Sequence, residues 1–405
     1  MNKNKLVLAY SGGLDTSFCL KYLTENENFE VHTVIVNTGG FSDKEVESIA
    51  AKAKQIGATT HTTLNVEDLY YSKCIKYMVF GNILRNGTYP LSVSSERYVQ
   101  AESVVHFAKS IGAEYVAHGS TGAGNDQIRF DMVFNVLAPE IKIITPIRDL
   151  KLTREEEIEY LQKHGVDMDF QVKSYSINKG IWGTSVGGKE TLTSSQPLPS
   201  SAYPSQLTKT ESTLLTLGFY KGEIKMVNGE TFARPVRAIH QIEEIVSEYA
   251  IGRDIHIGDT ILGIKGRVAF EAGAPLTIIK AHHALEKHVL TKWQQYWKEQ
   301  LANWYGMQLH EAQYLEPTLR DIEKFMENTQ ENVTGEVYIR LYPYHFSIEG
   351  VKSDYDLMTS DFGDYGEVNK KWNADDVRGF TKILGLSTAI YNHVKQKNET
   401  EQCKK

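Results

Sequence analysis

Lys5-Leu6-Val7-Leu8-Ala9-Tyr10-Ser11-Gly12-Gly13-Leu14-Asp15-Thr16-Ser17 decides the fold. A short apolar run meets a glycine pair, and Phe18, Leu20, Tyr22 and Leu23 continue at helical spacing. This predicts strand, tight turn and helix. Gly12 and Gly13 let the backbone approach a ligand with no Cβ in the way, and the first N–H groups of the helix point to the same place. Ser11, Thr16 and Ser17 add hydroxyl donors for phosphate oxygens. Asp15 has the wrong sign for a phosphate and suits either an accompanying metal or the pinning of the loop. No lysine precedes the Ser or Thr, so this is not a Walker A loop, and it suits pyrophosphate better than γ-phosphoryl transfer. The plain alternative is a simple turn with Asp15 capping the helix; strand, glycines, acid, hydroxyls and helix together outweigh it.

Outward from this loop the unit repeats. Val31 to Val36 reads as a buried strand, and Ser42 with Glu45 makes a capping box for a helix ending near Gly57. Thr59 to Leu64, Tyr115 to His118 and Ile141 to Ile144 are further strands, with a helix from Glu96 to Ile111 and another opened by Thr153 and Glu156. Strands alternating with helices predict an α/β domain: a parallel sheet covered on both faces, with ligands at the carboxyl ends of the strands.

After about residue 168 the texture changes. Gly187 to Thr213 is rich in Gly, Ser, Thr and Pro and reads as a long loop or linker, either functional or disordered. Asn228-Gly229 marks a hairpin, Ile239 to Tyr249 a helix, Ala281 to Tyr305 one long amphipathic helix, and Tyr342-Pro343 a second hairpin. The second half is therefore a mixed α+β domain. His393 to Lys405 reads as a fraying polar tail.

The chain has 405 residues, 41% hydrophobic and 23% charged, which fits two globular domains and excludes a wholly disordered chain. Net charge is −7 with no dense basic block, which argues against nucleic acid as partner. No apolar run reaches membrane-spanning length, and Met1 to Lys5 lead straight into a strand without a signal-peptide core. A cytoplasmic protein is expected. Cys19, Cys74 and Cys403 have no metal-like spacing; Cys19 and Cys74 read as small buried hydrophobes. His282, His283 and His288 do not present a zinc-binding i, i+4 pair.

A second motif follows the Tyr115 to His118 strand: His118-Gly119-Ser120-Thr121-Gly122-Ala123-Gly124-Asn125-Asp126-Gln127-Ile128-Arg129-Phe130. Arg129 suits a carboxylate and Asp126 an ammonium, so the pocket suits an amino acid. The alternative is an Asx-type turn with Arg129 on the surface. His118, at a strand end, reads as structural.

At these residues the chain resembles the PP-loop N-type ATP pyrophosphatases and, within them, the argininosuccinate synthase family. The match is close over Ala9 to Ser17 and Gly119 to Phe130 and looser through Tyr89-Pro90-Leu91 and Tyr175-Ser176. The resemblance implies a PP-loop, Rossmann-like nucleotide-binding domain (1–168), an α+β synthetase and substrate-binding domain (169–375), and a C-terminal oligomerisation helix and tail (376–405). It implies ATP-dependent ligation of L-citrulline and L-aspartate in arginine biosynthesis, through a citrullyl-adenylate, by a homotetramer. ATP with magnesium is a substrate, and no prosthetic group or resident metal is expected.

Carried over by position, the resemblance places ATP on Ala9, Tyr10, Ser11, Gly12, Gly13, Leu14, Asp15, Thr16, Ser17, Val36 and Gly119. Aspartate falls on Thr121, Asn125 and Asp126, and citrulline on Tyr89, Ser94, Asn125, Arg129, Ser176 and Ser185. Ser11, Asp15 and Asp126 carry the chemistry. The chain departs from the family at Ala123, in place of a lysine, at Gly258, in place of a citrulline-binding glutamate, and at Phe270, in place of a tyrosine. Asp259 is a candidate substitute for the glutamate, and Ile181 to Gly188 is divergent. The rivals are another PP-loop enzyme, such as a tRNA thiolase, GMP synthetase or NAD synthetase, and a non-catalytic ATP or amino-acid sensor. A thiolase should show paired catalytic cysteines and a basic face, and neither is visible.

Overall fold

Strands β1 (Lys5–Ala9), β2 (Glu30–Asn37), β3 (Thr60–Asn65), β4 (Tyr115–Ala117) and β5 (Lys142–Ile144) form an all-parallel sheet in the order β3-β2-β1-β4-β5. The computed structural model describes residues 3–122, 124–166, 175–359 and 371–402. Ala123 and Cys403 lie outside them.

Alternation along β1 sends its side chains to two cores. Val7 joins Val34 and Val116 under α5 (Ser92–Ser110) and α6 (Asp126–Leu137), numbered with the short helices α3 (Glu67–Tyr70) and α4 (Lys76–Phe80) before them. Leu6 and Leu8 face the opposite side, against α1 (Leu14–Glu25) and, beyond it, α8 (Arg154–Lys163), which follows the short α7 (Pro146–Leu150). Each such side chain contributes about 1.5–3 kcal/mol by leaving water, so the sheet is held from both faces. The α2 helix (Asp43–Ile56) and α8 begin with the expected reciprocal capping boxes, Ser42 with Glu45 and Thr153 with Glu156.

The remainder of residues 1–355, which form one unit, holds two antiparallel sheets. The four-stranded one contains β6 (Ser176–Gly180), β7 (Gly183–Gly187), β11 (Arg253–Asp259) and β12 (Lys265–Glu271), ordered β11-β12-β7-β6. The five-stranded one contains β8 (Thr213–Tyr220), β9 (Glu223–Val227), β10 (Glu230–Thr231), β13 (Gly335–Tyr342) and β14 (His345–Lys352). Helices α9 (Pro235–Ser247), α10 (Gly273–Val289), α11 (Lys292–His310) and α12 (Pro317–Thr329) complete the unit. Asn228 and Gly229, both at positive φ, make the expected turn between β9 and β10. Cys19 and Cys74 are fully buried.

Two expectations are corrected and one open alternative is closed. Ala281 to Tyr305 is not one helix: α10 stops at Val289, and Thr291 starts α11 with a capping box to Gln294, which competes successfully with continuation of the helix. The loop from Gly187 to Thr213 is ordered, with short 3-10 turns at Lys189–Leu192 and Ser200–Ala202. Arg267 Nη1 holds it by donating to the carbonyls of Glu190 (3.0 Å), Thr193 (2.6 Å) and Gln196 (2.9 Å). The described part of the tail, residues 393–402, is helical rather than frayed. In the second unit, residues 356–405, α13 (Ala374–Leu384) and α14 (Leu386–Gln402) are separated by Gly385, and α14 runs past His393.

Candidate functional site

The loops that leave β1, β2 and β4 converge at the carboxyl end of the parallel sheet. Gly12 takes φ +75°, and a Cβ there would lie 2.9 Å from Ile49 Cγ1, so only glycine lets the loop pass under α2. Gly13 is the N-cap of α1 and has no capping side chain, which leaves the first N–H groups of the helix to a ligand. Ser11 Oγ lies 3.3 Å from Thr16 Oγ1 and accepts from Gly13 N at 3.4 Å. Gly119 packs on the same turn: a Cβ there would come within 3.2 Å of Thr16 N. Lys52 of α2 donates from Nζ to the Gly12 carbonyl at 3.1 Å, which brings a cation to the loop.

Not every residue of the loop faces outward. Leu14 and Ser17 are buried, Leu14 in the core and Ser17 Oγ 3.4 Å from the Tyr10 hydroxyl, whose pKa burial pushes up to about 12. Ala9 ends β1, and Val36 lies buried on the neighbouring β2. Asp15 lies near Glu157 of α8, whose carboxyl is raised well above its ordinary range by burial and then by the Asp15 charge. Glu157 Oε2 is buried without a hydrogen-bond partner.

Asp126 begins α6 between two guanidinium groups: Arg97 Nε at 2.9 Å from Oδ2 and Arg129 Nη1 at 2.8 Å from Oδ1. Burial opposes its charge, but the two arginines hold its pKa down at about 2. Arg97 also donates to Glu96 Oε1 (2.8 Å), and Thr38 donates to Glu96 Oε2 (2.7 Å); burial raises this carboxyl to about 7. Arg129 is more committed than a free carboxylate fork, since its Nε donates to the His310 carbonyl (2.9 Å) and its Nη2 lies 3.3 Å from the His310 ring. Asn125 Oδ1 accepts from Ile261 N at 2.9 Å and so ties the β11–β12 turn to α6. Thr121 is exposed beside this cluster. His118 is buried and structural: Nε2 meets Asp131 at 2.8 Å and Nδ1 accepts from Ser120 N at 3.2 Å.

The four-stranded sheet docks onto the same end. Ile181 N donates to the Thr38 carbonyl at 2.9 Å, and Gly40 lies so close to β6 that a Cβ would meet the Lys179 carbonyl. Register places Ser176, Ser185, Phe270, His256 and Gly258 on one face of the sheet. Tyr89 covers that face, stacked on His256 with ring centroids 5.1 Å apart and tilted on Phe270 at 5.3 Å. Ser94 is buried on α5, its hydroxyl bonded to the Leu91 carbonyl at 3.3 Å. Asp259 does not stand in for a carboxylate at Gly258: it is exposed and paired with Lys265 at 2.7 Å. Sequence reasoning passed over Arg85, Glu96, Arg97, Glu157, His256 and His310, which lie outside the glycine-rich motifs; only the folded chain brings them in.

A glycine turn at the carboxyl end of a parallel strand, an open helix N-terminus, and an acid clamped by arginines beside them define a nucleotide-binding α/β enzyme with an adjoining polar substrate site. Residues 5–167 match the argininosuccinate synthase N-terminal HUP domain, and residues 175–391 match the C-terminal domain of that synthase. The argininosuccinate synthase of Methanocaldococcus jannaschii is 35% identical over 394 residues, covering 96% of this chain and 98% of its own. Those of Xanthomonas campestris (33%; 97% and 100% covered) and Sulfolobus acidocaldarius (34%; 95% and 98% covered) are similar in extent. The chain belongs to the argininosuccinate synthase family.

Proposed function

We propose that this chain joins L-citrulline to L-aspartate with cleavage of ATP to AMP and pyrophosphate, through a citrullyl-adenylate. The ureido oxygen attacks the α-phosphorus, the bond to pyrophosphate breaks, and the aspartate amine then displaces AMP, losing a proton as the new C–N bond forms. The observation that supports this best is the open N-terminus of α1 behind Gly12 and Gly13, with Gly119 packed on it and Asp126 beginning the next helix of the same crevice.

The N–H groups of the α1 turn, with Ser11 and Thr16, would receive pyrophosphate, and Lys52 would supply the cation that Ala123 does not. Magnesium enters with the ATP phosphates as part of the substrate. Val36 and Gly119 would border the nucleotide. Thr121, Asn125 and Asp126 would hold aspartate, Asp126 through lone pairs its two arginines leave open. Tyr89, Ser94, Asn125, Arg129, Ser176 and Ser185 would line the citrulline site, Arg129 through the two N–H groups its partners leave over. The chemistry asks for orientation and charge neutralisation more than for a strong base. The division into 1–168, 169–375 and 376–405, a cytoplasmic setting and assembly into a homotetramer through 376–405 belong to the same reading. Sustained, multiple-turnover pyrophosphate release that requires ATP, citrulline and aspartate together tests it; ATP binding without release under those conditions would contradict it.

A further inference from the structure

Leu91, the residue before α5, lies in the left-handed region at φ +59° and ψ +27° and is fully buried. A bulky side chain seldom adopts that conformation, because its Cβ crowds the following carbonyl oxygen, and it persists only where the surroundings hold it. Four consecutive carbonyls through this turn have donors. Tyr89 O accepts from Arg85 N at 2.8 Å, Pro90 O from Trp182 Nε1 at 3.0 Å, Leu91 O from Ser95 N at 3.1 Å, and Ser92 O from the Tyr70 hydroxyl at 3.0 Å. Arg85 and Ser95 are local, whereas Trp182 and Tyr70 reach the turn from other elements. Trp182 stands between β6 and β7, Tyr70 ends α3, and both are fully buried. The β6–β7 tip presses on the turn: a Cβ on Gly183, at φ +110°, would lie 3.1 Å from Ser92 Cβ.

Two of the residues assigned above to citrulline depend on Leu91. Ser92 Oγ donates to the Tyr89 hydroxyl at 3.2 Å, which leaves the phenol proton for a substrate oxygen. Ser94 Oγ donates to the Leu91 carbonyl at 3.3 Å, which leaves its lone pairs for a substrate donor. The faces of the Tyr89 ring are confined by His256 and Phe270, so the turn decides where the hydroxyl points between them. Ser92 follows Leu91 in the chain, and a return of Leu91 to negative φ would part it from Tyr89. Removing the N–H of Trp182 or the hydroxyl of Tyr70 takes the donor from a buried carbonyl, and the left-handed residue between them loses a restraint.

We propose that Trp182 and Tyr70 are positioning residues for the ureido substrate: they hold the Pro90 and Ser92 carbonyls on either side of Leu91 and thereby aim the Tyr89 hydroxyl. Being fully buried, neither touches substrate, and both act through Tyr89. This rests on the reading of Tyr89 as a citrulline contact and adds the two residues on which that contact depends.

Trp182→Phe and Tyr70→Phe each keep a ring and delete one donor. In the full-length protein, pyrophosphate release with ATP, aspartate and citrulline gives KM and kcat, and amide exchange reads the turn at residues 85–95. Each variant should raise the KM for citrulline about tenfold, with kcat and the KM for ATP within about twofold of the wild type, and should quicken exchange at 85–95. Added to Tyr89→Phe, either substitution should raise that KM by less than about twofold further, because the hydroxyl it aims is gone. Unchanged exchange in both variants overturns the inference, and so does full additivity with Tyr89→Phe, which a general loss of packing would give. If Trp182→Phe does not fold, Tyr70→Phe carries the same test. An unchanged citrulline KM in Tyr89→Phe itself would defeat the reading of Tyr89 on which the inference rests; a raised KM there, with none in the other two variants, would defeat the inference alone. Wild-type protein that releases no pyrophosphate defeats the ligase reading, and the Kd for citrulline then takes the place of KM in the same comparison.

Discussion

Asp15, in the first turn of α1, lies near enough to Glu157 of α8 for its charge, after burial, to raise the Glu157 carboxyl, so two carboxyl groups share the space beside the phosphate loop. Two such neighbours cannot both ionise cheaply, and Glu157, buried and with its pKa raised, is the one that keeps a proton. An acid whose pKa rises on folding takes up a proton in the folded state. Its contribution to stability is full below its ordinary pKa, about 4.5, and is lost as pH rises through the raised value. The Tm of the wild type should therefore decline from about pH 5 upward, and Glu157→Gln, neutral throughout, should flatten that decline. Calorimetric scans across the range decide it; an unchanged slope in the variant would remove Glu157 from the account.

Gly12→Ala should be costly where Gly13→Ala is not. Gly12 has φ +75° and no room for a Cβ beside Ile49, while Gly13 has φ −75° and a Cβ there would come no nearer to the surrounding atoms than 3.4 Å, from Ser11 Oγ. The first substitution should lower stability by about 1–3 kcal/mol and weaken ATP binding; the second should unfold in urea like the wild type. Equal midpoints for both variants would show that the loop is not strained at Gly12.

These two positions also show what the sequence conveys. A glycine pair after an apolar run is a local signal, and so are capping boxes and the Asn228-Gly229 turn; each depends on neighbours a few residues away. The parallel sheet and the first loop were legible for that reason. The break at Leu290-Thr291 was missed although it carries a local signal, the capping box of Thr291 with Gln294, because the apolar periodicity on either side obscured it. Glu157, Arg97 and His310 carry no such signal. They reach the site because α8 packs on α1, α5 on α6, and α11 ends against Arg129. Long-range packing of this kind leaves no trace in local pattern.

Asp126→Asn should remove the charge that joins Arg97 to Arg129. The Asp126 side chain is 38% exposed, so solvent screens the clamp and the expected loss is about 1–2 kcal/mol rather than that of a buried pair. In the wild type the depressed pKa makes this stabilisation present above the ordinary value near 3.8 and lost as pH falls toward about 2. Acid titration of stability in wild type and variant reads the difference, and identical acid limbs would contradict the clamp. The same substitution should raise the KM for aspartate at least tenfold.

Arg267→Ala should release the loop between β7 and β8. Its Nη1 serves three carbonyls there, so no single loop side chain can replace it. A loss of about 2–3 kcal/mol is expected, with faster amide exchange confined to residues 189–203. Unchanged protection in that segment would show that the packing of Leu198 and Ala202 holds it instead.

The path of the ureido oxygen tests the central claim most directly. Full-length protein turning over citrulline labelled with oxygen-18 in its ureido group, with ATP and aspartate, should deliver the label to the phosphate of AMP in one-to-one ratio with argininosuccinate formed. Product formed with unlabelled AMP would contradict adenylate formation at the α1 loop.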